Sequence, residues 1–161
     1  MSSASEIVGI LSTLKDVAPA GYAIALHIHF TTPMYLFQSY PREWVDKYSQ
    51  EGLVLLDPTV RWGFGNTGPI RWSELASDDS AGVLAAAGQH GLTFGLTVAQ
   101  SFATRKSIAS FARTDREFSD PEVAQVCALF DDLIQRTIAP GALTDQDQEF
   151  LRRMSVAVTR G

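Results

Sequence analysis

Tyr40, Trp44 and Tyr48 recur at intervals of four in the segment Tyr40-Pro-Arg-Glu-Trp44-Val-Asp-Lys-Tyr48. That spacing predicts three rings stacked along one helix face, each carrying a polar tip. Beyond Tyr48 come Asp57-Pro58-Thr59, then Pro69-Ile70-Arg71-Trp72, and a further hydroxyl stands at Ser110. Taken singly, the rings read as amphipathic core residues and Asp57-Pro58 as the start of a turn. Taken together they form an inventory. The Trp44 indole can only donate a hydrogen bond, the hydroxyls of Tyr40, Thr59 and Ser110 can donate, and an ionised Asp57 can only accept. That set is complementary to a small neutral amide, for example an N-acyl lactone, with one N–H donor and several carbonyl acceptors. Any of these groups left unpaired on burial costs roughly 1–3 kcal/mol, so a neutral pocket of this kind selects its occupant.

Elements able to position these residues are readable on either side. Ile7, Ile10, Leu11, Leu14 and Val17 recur at helical spacing, ended by Pro19 and Gly21. Tyr22 to Phe30 alternates as a strand, with Tyr22, Ile24, Leu26, Ile28 and Phe30 on one face and Ala23, Ala25, His27 and His29 on the other. Met34 to Gln38 reads as a second strand. Pro41 opens a helix through Tyr48, and Gly52 closes it. Leu53 to Ser73 reads as loop-rich, Ala81 to Gln89 as a helix stopped by Gly91, and Thr93–Ala99 with Ser107–Ala112 as two strands. Ser119 is a good N-cap for a long helix whose face carries Val123, Val126, Cys127, Phe130, Leu133, Ile134 and Ile138. Strands that neighbour one another in sequence predict an α+β fold, an α-β-α sandwich with a central antiparallel sheet of about five strands and helices on both faces.

Composition bounds the function. The 161 residues suit one domain long enough to enclose a ligand, and a formal charge of −5 with scattered basic residues argues against a phosphate-backbone surface. One cysteine, Cys127, excludes an internal disulfide framework and fits a reducing compartment, so a cytoplasmic location is expected. No apolar run approaches the roughly 20 residues that span a bilayer, and no export signal is legible.

The pattern Tyr40-Pro41-x-x-Trp44-x-x-x-Tyr48, Asp57-Pro58-Thr59-Val60, Pro69-Ile70-x-Trp72, Ala86 followed by Gly91-Leu92-x-x-Gly95-Leu96-Thr97, and Ser110-Phe111 resembles the autoinducer-binding domain of LuxR-type quorum-sensing regulators. The resemblance covers about residues 1–140. It implies a sensor domain of a transcriptional regulator, binding an N-acyl-homoserine lactone without any cofactor, and no enzyme activity. It also implies roles: Trp44 for the lactone carbonyl, Asp57 for the amide N–H, and Tyr40 and Ser110 for the amide carbonyl. Trp72 would pack beside the lactone ring and Tyr48 would line the acyl channel. The sequence departs from the family at Ala99, where proline is frequent, at Leu53 and Val54, where an aromatic is expected, and at Ala103 to Lys106, which shortens a hairpin. A homodimer is implied too, and the apolar surplus of the long helix is a candidate interface.

Other motifs carry less. Gly63-Phe-Gly65-Asn-Thr-Gly68 matches a dinucleotide fingerprint but leads into the extended Pro69–Trp72 rather than a helix. His27 and His29 share a predicted strand face without a third metal ligand, and read as surface or pocket-lining residues. Ser110 lacks a nucleophile elbow, which makes a lactone hydrolase the weaker alternative. Cys127 reads as a small buried hydrophobe. Residues 141–161 read as a linker and the incomplete start of a helix-turn-helix domain, because Ser155 to Gly161 is too short for a recognition helix. The chain alone is therefore expected to bind no specific DNA. It is either a ligand-binding piece of a regulator or a short homologue acting by heterodimerisation or on a different small molecule.

Overall fold

The computed structural model describes residues 3–138 and 143–159. Helix α1 (Ser3–Val17) precedes strands β1 (Gly21–Ile28) and β2 (Tyr35–Gln38), then α2 (Arg42–Gln50), α3 (Pro58–Gly65), β3 (Gly68–Arg71), α4 (Val83–Gly88), β4 (Phe94–Phe102), β5 (Arg105–Arg113), α5 (Asp120–Ile138) and α6 (Asp145–Thr159). 3-10 segments at Leu53–Leu55 and Trp72–Asp78 join them. The five strands form one antiparallel sheet in the order β2-β1-β5-β4-β3, with helices on both faces. This is the expected α+β sandwich.

The register explains why one face is solid and the other hollow. Directly opposed residues in antiparallel strands share a face. Tyr22 opposes Phe111, which opposes Leu96, and Ile24 opposes both Phe37 and Ala109. These large side chains pack with Leu14 of α1 and with Val126 and Phe130 of α5 into the main core. The other face is built from small residues: Ala23 opposes Ser110 and Ser110 opposes Thr97, while Gly21 opposes Ala112 and Ala112 opposes Gly95. Helices α2, α3 and α4 cover that face over a gap that the small side chains do not fill.

Three expectations change. Within Leu53 to Ser73 lie α3 and the edge strand β3, where the sequence reads as loop. Asp57 with Pro58 is the N-cap and first residue of α3, a start signal that the turn reading of Asp-Pro obscured. The alternation of β1 is broken by a bulge between Ala25 and Ile28, with His27 at φ 54°. The extra residue turns Ile28 onto the small-residue face, where it lines the cavity with Ala23 and Ala25. His27 instead is fully buried, its Nε2 2.7 Å from Thr137 Oγ1 on α5, while His29 is exposed. The two histidines are therefore parted, and among the described residues no group of metal-ligating side chains forms. The surface or pocket-lining reading of His27 is corrected accordingly.

The apolar stripe of α5 is largely consumed within the chain: Val126, Phe130, Leu133 and Ile134 are all buried in the main core, with Cys127 packed at its margin. A capping box between Ser119 and Glu122 starts this helix as the sequence predicts. At the far end, α6 lies against the edge strand β2 and against α1, with Leu143 and Leu151 in the core and Ser155 Oγ accepting the Leu36 N–H at 2.8 Å. The linker expected at Ala139 to Gly141 lies outside the described residues. Among the described residues no helix is long and apolar enough to cross a membrane.

Candidate functional site

Between the small-residue face of the sheet and helices α2 to α4 lies a cavity of about 270 Å³. Tyr40, Trp44, Tyr48, Asp57, Thr59, Trp72 and Ser110 all line it, together with apolar side chains such as Ile28, Leu36, Val60, Phe64 and Ile108. The structure thus gathers every sequence-predicted site residue in one place, from four separate stretches of chain. The three rings do not stack as a ladder. Tyr40 precedes the N-cap Pro41, outside α2, and rests against Gly21, where a Cβ would collide with the Tyr40 ring and the Ser39 carbonyl. Trp44 meets Tyr48 edge to face with centroids 5.8 Å apart, and its other neighbour is His90, at 5.4 Å.

Asp57 is held by its own helix. Its Oδ1 accepts the backbone N–H of Thr59 at 2.8 Å and the Thr59 hydroxyl at 2.7 Å, and its Oδ2 accepts the Tyr48 phenol at 2.7 Å. A carboxylate offers about four lone-pair sites, so one remains for a donor in the cavity. The Thr59 and Tyr48 protons, by contrast, are engaged inside the protein. Thr59, counted from sequence as a donor toward a ligand, instead orients Asp57.

Two donors have no partner among the described residues. The Tyr40 hydroxyl is buried without any hydrogen bond, and none is made by the Trp44 indole N–H among the described residues, although Trp44 is 4% exposed. Burial first, and the nearby Asp57 carboxylate second, push the Tyr40 phenol far above its ordinary pKa; Tyr48 is raised in the same way and further by its bond to Asp57. Both stay neutral, so both remain donors.

Trp72 is fixed differently. Its indole N–H donates to Thr97 Oγ1 at 3.0 Å, and Thr97 Oγ1 lies 2.7 Å from Ser110 Oγ. The ring covers Gly95 so closely that a Cβ there would fall inside it. Thr97, Gly95 and His90 are the site residues that reading the chain by motif left unassigned. Thr97 and Gly95 belong to the quoted pattern, and the missing signal was their strand register opposite Ser110 and Ala112.

The Autoinducer binding domain family matches residues 21–136, more than half the chain and all of the elements that enclose the cavity. The chain belongs to this family. Curated relatives agree: the autoinducer-binding domain is 30% identical over 76 residues to the transcriptional activator SolR of Ralstonia nicotianae, covering 47% of this chain and 32% of that protein. It is 31% identical over 87 residues to the transcriptional activator PhzR of Pseudomonas fluorescens, covering 53% and 35% respectively. The matched stretch spans about a third of the length of these relatives.

Solved structures share the fold. SdiA in complex with octanoyl-rac-glycerol has a TM-score of 0.63 at 20% identity, over 98% of this chain and 72% of that one. The N-acylhomoserine lactone dependent LuxR family factor CepR2 of Burkholderia cenocepacia has a TM-score of 0.57 at 15% identity, over 80% and 93%. The chain is therefore an autoinducer-binding domain by sequence family, and it shares the fold of these regulators' ligand-binding domains.

Proposed function

We propose that this autoinducer-binding domain senses a neutral N-acyl-homoserine lactone or a close amide, held at Tyr40, Trp44, Asp57 and Ser110 with Trp72 beside the head group. One observation carries the reading: in a largely apolar cavity, the Tyr40 hydroxyl, the Trp44 N–H and one acceptor site on Asp57 have no partner among the described residues. Neutral donors beside an acceptor on Asp57 complement a ligand with several carbonyls and one amide N–H. Tyr48 and Thr59 support this arrangement from beneath by fixing the carboxylate, and Tyr48 also walls the acyl side.

No catalysis is part of this reading. Ser110 is hydrogen-bonded to Thr97, and among the described residues no histidine bonds to it, so a hydrolase triad lacks its base. Residues 1–140 are the sensing unit, and residues 141–161, with α6 docked on β2, resemble the opening of a helix-turn-helix. The homodimer rests on the family resemblance, since the α5 stripe is occupied by the chain's own core. Without a recognition helix and with an acidic net charge, residues 1–161 alone bind no specific DNA.

The test is a thermal-shift panel of acyl-homoserine lactones of graded chain length, with octanoyl-rac-glycerol as the head group that lacks both lactone and amide. A ligand at a hundred times its Kd stabilises by about 2.7 kcal/mol. Stabilisation by a lactone is expected. A response to octanoyl-rac-glycerol alone, or to nothing in the panel, replaces the lactone with another small molecule. Ring-opened product in the incubations would reinstate the hydrolase.

A further inference from the structure

Thr97 faces the cavity side of β4, directly opposite Ser110 on β5, and is completely buried. Its hydroxyl sits between two groups of different kinds. The Trp72 indole, 3.0 Å away, can only donate, so Thr97 Oγ1 accepts there. Ser110 Oγ, 2.7 Å away, could stand in either role. If Ser110 donated, Thr97 would accept twice and its own proton would have no acceptor among the described residues, on a side chain that is completely buried beneath the cavity wall. If Thr97 donates, its proton is paired, and the proton left over is that of Ser110, on the residue that lines the cavity.

We propose that Thr97 is a positioning residue that sets the polarity of Ser110, through the one-way relay Trp72 to Thr97 to Ser110, and so leaves the Ser110 proton free to be donated to the ligand. The relay is anchored at its start, because the Trp72 ring is pressed onto Gly95 and its indole cannot turn away without displacing the strand contact. A serine proton aimed into the cavity favours a ligand acceptor at that point, a carbonyl, because without one that proton is left unpaired. This specificity rests on the ligand reading above, whereas the direction of the relay is a property of the unliganded protein.

The two can therefore be tested apart. In the unliganded full chain, proton NMR should show the Thr97 hydroxyl as a slowly exchanging signal with an Overhauser contact to the Ser110 β-protons, and the Ser110 hydroxyl in fast exchange with water. A protected Ser110 hydroxyl, or no protected hydroxyl at either residue, overturns the relay whether or not any lactone binds. With N-octanoyl-homoserine lactone as probe, Thr97→Val should weaken binding roughly tenfold. Thr97→Ser, which keeps the hydroxyl, should restore most of the affinity. In a Ser110→Ala background Thr97→Val should add no further loss, because the relay then has no end point. An equal loss in both backgrounds would mean that Thr97 acts only through packing and would sink the proposal. Failure of the wild type to bind the probe would count against the lactone reading alone, leaving the NMR result to decide the relay.

Discussion

Tyr48 donates its phenolic proton to Asp57 Oδ2 at 2.7 Å, while the other oxygen of that carboxylate caps α3 through the Thr59 N–H. One side chain thus closes a helix, joins it to α2 and keeps one acceptor site toward the cavity.

Asp57→Ala should therefore harm the empty protein as well as the complex. Loss of the cap costs about 1 kcal/mol, and the orphaned hydroxyls of Tyr48 and Thr59 add to it, for a total of roughly 2–3 kcal/mol in urea denaturation. Calorimetric titration with the best ligand of the panel should show a larger affinity loss for Asp57→Ala than for Thr59→Ala. Unchanged affinity in a folded Asp57→Ala protein would remove Asp57 from the ligand's surroundings.

Tyr40→Phe gives the opposite pairing of effects. Its hydroxyl has no partner to lose, so the unliganded stability should stay within about 0.5 kcal/mol of wild type or rise slightly. Affinity should still fall, roughly tenfold, because the ligand loses a buried donor. Stability and affinity measured on the same preparation check this; a destabilised apo protein with intact binding would contradict it.

Gly95→Ala tests the seat of Trp72. The added methyl needs the volume the indole occupies, so the ring must leave Thr97 and the strand must shift. A destabilisation of about 1–3 kcal/mol or more is expected from such overpacking. It should be accompanied by a changed tryptophan emission and by loss of ligand response. Wild-type denaturation together with unaltered fluorescence would show that the ring has room to move.

His27 predicts the acid side of the stability curve. Burial first, and the charge of Arg105 second, lower its pKa below the ordinary value of 6.5. The unfolded chain then binds the proton more readily than the folded one, so stability is full above that value and declines as pH falls beneath it. His27→Asn keeps a side chain that tolerates the left-handed backbone at φ 54° and removes the titration. Denaturation between about pH 7 and pH 5 should show a shallower decline for the variant than for wild type. Parallel profiles would assign the acid sensitivity elsewhere.

Much of this protein is legible in its sequence because local chemistry signals it. Helical spacing from Ile7 to Val17, the N-cap at Ser119 and the strand read over Ser107–Ala112 each depend on near neighbours, and each element forms close to where the pattern places it. The candidate site residues are legible for the same reason: indole, phenol, carboxylate and hydroxyl fix what each group can donate or accept before any fold is known. What those groups are free to do is not local. Whether Thr59 or Tyr40 has a proton to offer depends on Asp57 lying beside one and nothing lying beside the other. The hollow itself exists because small residues from three strands, Ala23, Gly95, Thr97 and Ser110 among them, meet on one sheet face, a coincidence of register between strands far apart in the chain. The bulge at His27, which moves Ile28 into that hollow and the imidazole out of it, answers to Thr137 more than a hundred residues away. Sequence by itself determined the kinds of hydrogen bond this pocket can make; tertiary structure decided which remain unmade, because satisfaction of a polar group is a property of its surroundings and not of the group.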